Sequence, residues 1–129
     1  MMTRYEINSQ VNGDALNGLF GSAWPAYTPR DFSPLFAIGL GHVCAFQGDD
    51  LIGFVNVAWD GGVHAFLLDP TVRPDLQRQG IGSELVRLAT GLAKANGVEW
   101  LHVDFEPTLA EFYHKCGFRH TEAGLLRLR

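Results

Sequence analysis

Val72-Arg73-Pro74-Asp75-Leu76-Gln77-Arg78-Gln79-Gly80-Ile81-Gly82-Ser83-Glu84-Leu85 is the stretch on which the reading of this chain turns. An apolar run, Ala65-Phe66-Leu67-Leu68, leads toward it, and from Ile81 onward apolar residues return at helical spacing. Between these two patterns lies a polar loop that closes on Gln77-x-x-Gly80-x-Gly82. Glycine at 80 and 82 removes the Cβ where backbone would approach a ligand. The first N–H groups of a helix have no partner within it and carry partial positive charge, so an anion is stabilised there. Arg73 and Arg78 add formal charge on either side. The unit reads as strand, loop and helix arranged to hold a phosphate or pyrophosphate.

A dinucleotide fingerprint would need a third glycine at position 85, where leucine stands, and a strand feeding the first glycine directly. A nucleoside-triphosphate loop would need Gly-Lys-Ser/Thr, which the chain lacks. Gln77, Gly80 and Gly82 instead resemble the acetyl-coenzyme-A loop of the GCN5-related N-acetyltransferase superfamily, Arg/Gln-x-x-Gly-x-Gly/Ala, and Val72-Arg73-Pro74 resembles its lead-in. About thirty residues later, Tyr113-His114-Lys115-Cys116-Gly117-Phe118 resembles the terminal signature of that superfamily, a tyrosine, three variable residues, then glycine and phenylalanine. The resemblance runs from about Leu51 to Phe118, and the first fifty residues match by no motif.

The 129 residues suffice for one domain spanning the whole chain, 1–129, that buries about two-thirds of its unfolded surface. A hydrophobic share of 47% argues against disorder, and no apolar run is long enough for a membrane span. The start, Met1-Met2-Thr3-Arg4-Tyr5-Glu6, lacks the pattern of a secretory signal, and two cysteines make no disulfide framework, so the cytoplasm is the expected compartment. With a net charge of −4 and no basic run, nucleic acid is not an expected partner.

Along the chain, residues 5–7 read as a short strand and 11–20 as a helix capped by Asn8 or Ser9, followed by a loop over 21–29. Asp31 or Ser33 would cap a second helix running to Leu40 and stopped by Gly41. Residues 43–46, 51–59 and 63–68 form a three-strand meander joined at Gln47-Gly48-Asp49-Asp50 and Asp60-Gly61-Gly62. A helix follows over 80–95, with Ile81, Leu85, Leu88, Ala89 and Leu92 on one face and Asn96-Gly97 at its end. Residues 100–105 form a strand parallel to the one before the helix. Leu109, Phe112, Tyr113 and Cys116 make the apolar stripe of a short last helix, and 119–121 pair with 125–128 in a closing hairpin. The expected class is α/β, a mixed, mostly antiparallel sheet with helices on both faces, which resembles the acyl-CoA N-acyltransferase fold.

The resemblance implies acetyl-coenzyme A as cosubstrate and an amine acceptor, by direct transfer with no covalent enzyme intermediate. It implies that Gln77, Arg78, Gln79, Gly80, Ile81, Gly82 and Ser83 hold the pyrophosphate, and that the strand edge at Leu68, Thr71 and Val72 pairs with the pantetheine arm. Tyr113 is the position at which many relatives protonate the leaving thiolate. For the amine proton the candidates are Glu106, Asp104 and Asp69, at the C-terminal ends of the two parallel strands, where open α/β sheets bind ligands. Glu106 stands where many relatives carry asparagine. That departure keeps open a second reading, a module that binds acyl-coenzyme A without turnover. His64 and His102 are too few for a metal centre. Trp24, Tyr27, Phe32 and Phe36 are either core or the wall of an acceptor pocket. Many relatives pair, which leaves a homodimer open. The identity of the acceptor amine is not written in the motifs, and compact size points to a small molecule.

Overall fold

A computed structural model describes residues 2–129. Five strands form one sheet in sequence order, β1 (Arg4–Ile7), β2 (Gly41–Gln47), β3 (Asp50–Trp59), β4 (His64–Val72) and β5 (Trp100–Val103). The first four are antiparallel neighbours, and β5 runs parallel to β4. That parallel step requires a crossover, which α3 (Ile81–Ala95) supplies. The remaining helices are α1 (Gly13–Ala23), α2 (Ser33–Ile38) and α4 (Ala110–Lys115). No helix among the described residues is long and apolar enough to cross a membrane.

The period-two alternation of the strands divides the core into two layers. Val43, Ala45, Val55, Val57, Ala65 and Leu67 face α3, where Ile81, Leu85, Val86 and Ala89 close over them. Gly53 makes this approach close, because a Cβ there would stand 3.0 Å from Leu85 Cδ1 and 3.2 Å from Ala45 Cβ. On the opposite face Cys44, Leu51 and Phe54 meet Leu16, Leu19, Phe20 and Phe32. Phe20 is the hub of that layer, stacked on Trp24 at 4.6 Å and edge-on to Tyr27 and Phe54 at 5.8 Å. Its truncation to alanine would cost about 3–5 kcal/mol. Phe32 therefore belongs to the core, and Trp24, Tyr27 and Phe36 pack against it partly buried.

Several boundaries differ from the sequence reading. The first helix starts at Gly13 rather than residue 11, because Asn12 caps it through Oδ1, which accepts from Asp14 N–H at 2.7 Å. Asn8 is not the cap: it sits at φ 56° and its Oδ1 accepts from His42 N–H at 2.9 Å, fastening the end of β1 to β2. The helix then continues to Ala23, into the span expected as loop. The second helix ends at Ile38 rather than Leu40, since Leu40 N–H donates to Val57 O at 2.9 Å and is drawn into the sheet. Helix α3 begins at Ile81, one residue late, with Gly80 outside it in the left-handed region.

The closing hairpin is absent: residues 119–129 form no strand, and Leu125, Leu126 and Leu128 are exposed. Arms of three or four residues without a covered apolar face are too short to hold a hairpin. The fifth strand also stops at Val103, two residues before the expected end, because β4 and β5 part there.

Candidate active site

The site begins with a local defect in β4. Asn56 pairs with Leu68 and Phe54 with Thr71, so β4 carries one residue more than β3 between these points. The extra length is taken up at Asp69-Pro70, with Asp69 at φ 56° and Thr71 Oγ1 donating to Asp69 O at 3.0 Å. The apolar pattern predicts a strand that ends at Leu68, and the resemblance an edge that runs on to Val72. The strand resumes because Gly53 and Phe54 of β3 pair with Val72 and Thr71. On its other side β4 pairs with β5 only from His64↔Trp100 to Leu67↔Val103. Beyond that the strands diverge, and the β4 edge over residues 68–72 has no strand partner. Pro70 stands in the fork and lines the clefts on both sides of it.

One cleft, about 760 Å³, lies between the end of β4, the start of α3 and α4. Its loop is held by Gln77, whose Nε2 donates to Val72 O at 3.2 Å, and by a 3₁₀ turn over Pro74–Leu76. Arg78 and Gly80 follow at φ 65° and 85°. Two left-handed residues within three positions swing the chain into α3, whose start has no side-chain cap. The first-turn N–H groups of Ile81, Gly82 and Ser83 are therefore available to a ligand. A Cβ on Gly80 would meet nothing within 4 Å, so open space lies beside the backbone there. A Cβ on Gly82 would touch the Phe112 ring at 3.4 Å, so Gly82 also lets α3 and α4 pack.

The residues expected to hold the cosubstrate separate into two groups. Thr71, Val72, Gln77, Arg78, Gly80, Gly82 and Ser83 line this cleft. Leu68 and Gln79 do not; Leu68 is exposed on the α1 face of the sheet, and the Ile81 side chain is in the core. Arg73 is turned away, with its guanidinium on Asp75 at 2.7 Å. Lys115, Thr108 and Phe112, which no motif marks as cosubstrate residues, also reach the cleft from the last helix and the turn before it. Only the tertiary packing of α4 against α3 brings them there.

Tyr113 lines both clefts, and little of its surface is exposed. Its ring stacks on Phe105 at 4.8 Å and meets Phe112 and Phe118 edge-on at 4.9 and 5.9 Å. Burial, with a smaller effect of Cys116, pushes its hydroxyl up to about 12. It holds its proton at neutral pH, as a general acid must. Leu109 lines both clefts too, rather than completing the apolar stripe of α4.

The second cleft, about 480 Å³, contains Asp104, Glu106 and Tyr113, with Arg119 and the following residues as its far wall. Asp104 and Glu106 are solvent-exposed. Asp69 differs from both and lines neither cleft. It is partly buried at the bulge, and desolvation raises its proton affinity against the opposing charge of Arg30.

Residues 13–118 match the profile of the Acetyltransferase (GNAT) family. Among curated proteins, 69 residues are 35% identical to the mycothiol acetyltransferase of Mycolicibacterium vanbaalenii, covering 54% of this chain and 23% of that protein. The matches span well under half the length of the curated relatives. Among solved structures, a GNAT family acetyltransferase from Streptococcus pneumoniae superposes with a TM-score of 0.82 at 24% identity, over 99% of this chain and 100% of the other. An aminoglycoside N-acetyltransferase solved with coenzyme A superposes at 0.75 and 18% identity, over 100% and 97%. The chain belongs to the acetyltransferase (GNAT) family.

Proposed function

We propose that this family member transfers an acetyl group from acetyl-coenzyme A directly to a primary amine of a small molecule. The observation that carries the reading is the fork between β4 and β5, with an uncapped helix start on one side, carboxylates on the other and Tyr113 lining both clefts. The fit to the cosubstrate rests on three features: unpartnered N–H groups after Gly80, the open space beside it, and the free β4 edge, which can pair with an amide-bearing arm as an added strand. Gln77, Arg78, Gly80, Gly82 and Ser83 would hold its phosphates, and Thr71 and Val72 its pantetheine.

When bound, acetyl-coenzyme A supplies an acetyl carbonyl activated as a thioester. Asp104 and Glu106 draw the ammonium form of the acceptor into the second cleft. Asp69, in the bulge next to Pro70 of that cleft's lining, would take one proton from it through water, so that nitrogen arrives with a free lone pair; its raised proton affinity suits that task better than an exposed carboxylate. As the new C–N bond forms and the C–S bond breaks, Tyr113 gives its hydroxyl proton to the thiolate sulfur and recovers one from solvent or from the product nitrogen. An amine panel with free thiol as readout tests the reading. Thiol release above the blank with at least one primary amine supports it, and binding of acetyl-coenzyme A without release for any amine would mark a sensor instead.

A further inference from the structure

The outer half of the sheet carries a strip of side chains that the mechanism above does not use. Ala65, Leu67, Leu101 and Val103 point to the α3 core, so His64, Phe66 and Leu68 of β4 and Trp100 and His102 of β5 share the opposite face. Helix α1 lies against β3 and β4 on this face but does not cover these side chains: Phe66 is 41% exposed, Leu68 42% and Trp100 49%. For a sheet face this is an unusual concentration of apolar surface in water, and it leads straight to the fork.

The two imidazoles at its far end are fixed. His64 Nδ1 and His102 Nε2 are 3.0 Å apart, so one nitrogen donates to the other. The His102 ring also stacks on Phe66, with centroids 4.6 Å apart and planes 18° off parallel. The Asp60 carboxylate accepts from His64 N–H at 3.3 Å and steadies the turn behind it. Whichever nitrogen carries the shared hydrogen, the neutral pair presents one outward N–H donor; with one proton added, both outward nitrogens donate. Arg119, a wall of the second cleft, lies over the Trp100 ring at 5.9 Å and brings a permanent positive charge to the same face.

Distance gives this arrangement its meaning. Asp104 follows His102 by two residues and stands one past the end of β5, which at an extended rise is about 7 Å. The path between them runs past Leu68 and Phe66. We infer that this strip is an acceptor subsite, and that the acceptor is an amine joined to an anionic group by an apolar spacer of about 7 Å. The amine lies at the carboxylates by the fork, the spacer on Leu68 and Phe66, and the anion on His102, His64 and Arg119. An ordinary α-amino acid is too short to reach both ends, and an ω-amino acid of four or five carbons is long enough. This inference rests on the acetyl-transfer reading for the position of the amine, and its own observations are the paired imidazoles and the exposed apolar path.

The test compares glycine, β-alanine, γ-aminobutyrate, δ-aminovalerate and ε-aminocaproate with butylamine, and aminobutylphosphonate separates a phosphate-like from a carboxylate anion. The expected result is a rate constant kcat/KM that rises with length to a maximum at γ-aminobutyrate or δ-aminovalerate. There it exceeds butylamine about tenfold or more, the effect of one charge-assisted hydrogen bond. The gain should lie in KM. His102→Phe keeps a ring against Phe66 and removes both nitrogens, and it should bring the ratio of δ-aminovalerate to butylamine close to one. A retained rise in melting temperature with acetyl-coenzyme A shows that the variant is folded. Imidazole C–H chemical shifts give a readout that needs no turnover: δ-aminovalerate should move the His64 and His102 signals and butylamine should not. No length preference, or imidazole signals indifferent to the anionic amines, overturns the subsite. Absence of acetylation with every amine, while the imidazole signals respond, would instead remove the transfer reading and keep the subsite.

Discussion

On the α3 side of the fork, the groups offered to a ligand are mostly backbone: N–H donors after Gly80 and the unpaired edge of β4. On the opposite side they are side chains: His64 and His102, brought together by the pairing register of two strands, and Asp69 and Asp104 just beyond where that pairing ends. A backbone site is specified within a dozen consecutive residues and tolerates change in most side chains around it. A side-chain site depends on how two distant strands align, and a single substitution removes one of its groups. A backbone site thus suits a ligand shared by many proteins of one fold, and a side-chain site one that varies among them.

The largest effect should come from breaking the backbone half. Gly80→Val forces a β-branched residue into φ 85°, at a cost of about 1–2 kcal/mol, and places side-chain atoms in the space beside the helix start. Acetyl-coenzyme A should then no longer raise the melting temperature, which a ligand bound only to the native state otherwise does. A full shift in this variant would show that the helix start is not the phosphate site.

Next in size is Tyr113→Phe, which keeps the ring contacts with Phe105, Phe112 and Phe118 and removes only the hydroxyl. Loss of a general acid should lower kcat about a hundredfold with the acetyl-coenzyme A shift intact. Since burial pushes this hydroxyl up to about 12, the wild-type enzyme should show no loss of activity from its ionisation up to mildly alkaline pH. An unchanged kcat in the variant would reduce Tyr113 to a packing residue.

The two halves were unequally legible in the sequence. Gly80 and Gly82 announce a close approach to backbone, and Asn96-Gly97 ends α3 as expected, with Gly97 at φ 81°. These are local signals. Pattern alone ends the fourth strand at Leu68, and only the resemblance implies an edge running on to Val72; the facing Gly53 and Phe54 are what bring the chain back into the sheet after Asp69-Pro70. The contact between His64 and His102 follows from the register His64↔Trp100, which nothing in either segment states alone. The terminal hairpin was expected from leucines near the C-terminus, yet those leucines find no apolar face in the structure. Patterning records which side of a strand is apolar, and the alignment of one strand on another is decided by the packing of the whole sheet.

Asp69→Asn sharpens the side-chain half and should separate stability from function. Desolvation raises the folded-state pKa of this carboxyl above its unfolded value, so its ionisation is disfavoured in the folded protein. Below the unfolded pKa the group is neutral in both states and costs nothing; as pH rises through the folded pKa, the wild type loses stability that asparagine does not lose. The variant should therefore melt higher than wild type at neutral pH, with the difference vanishing in acid. Its kcat/KM should meanwhile fall about tenfold and recover at alkaline pH, where more amine is already neutral. A variant as active as wild type would return the proton-accepting role to Glu106 or Asp104.

The smallest effect concerns the two arginines that flank the loop. Arg78 lines the larger cleft, and Arg73 is held on Asp75 through Nε at 2.7 Å and Nη2 at 3.3 Å. The pairing turns the Arg73 charge back onto its own loop, and Asp75 offsets it for any anion nearby. Arg78→Ala should weaken acetyl-coenzyme A binding several-fold, an effect that shrinks as salt screens the phosphates. Arg73→Ala should change affinity by less than about twofold, since exposed ion pairs contribute little and the main-chain bond from Arg73 N–H to Ile52 O at 2.8 Å is untouched. Calorimetric titration of both variants at low and high salt decides it. Equal losses from the two would mean that Arg73 leaves Asp75 when the ligand binds, and that side-chain charge carries as much of this half of the site as its backbone does.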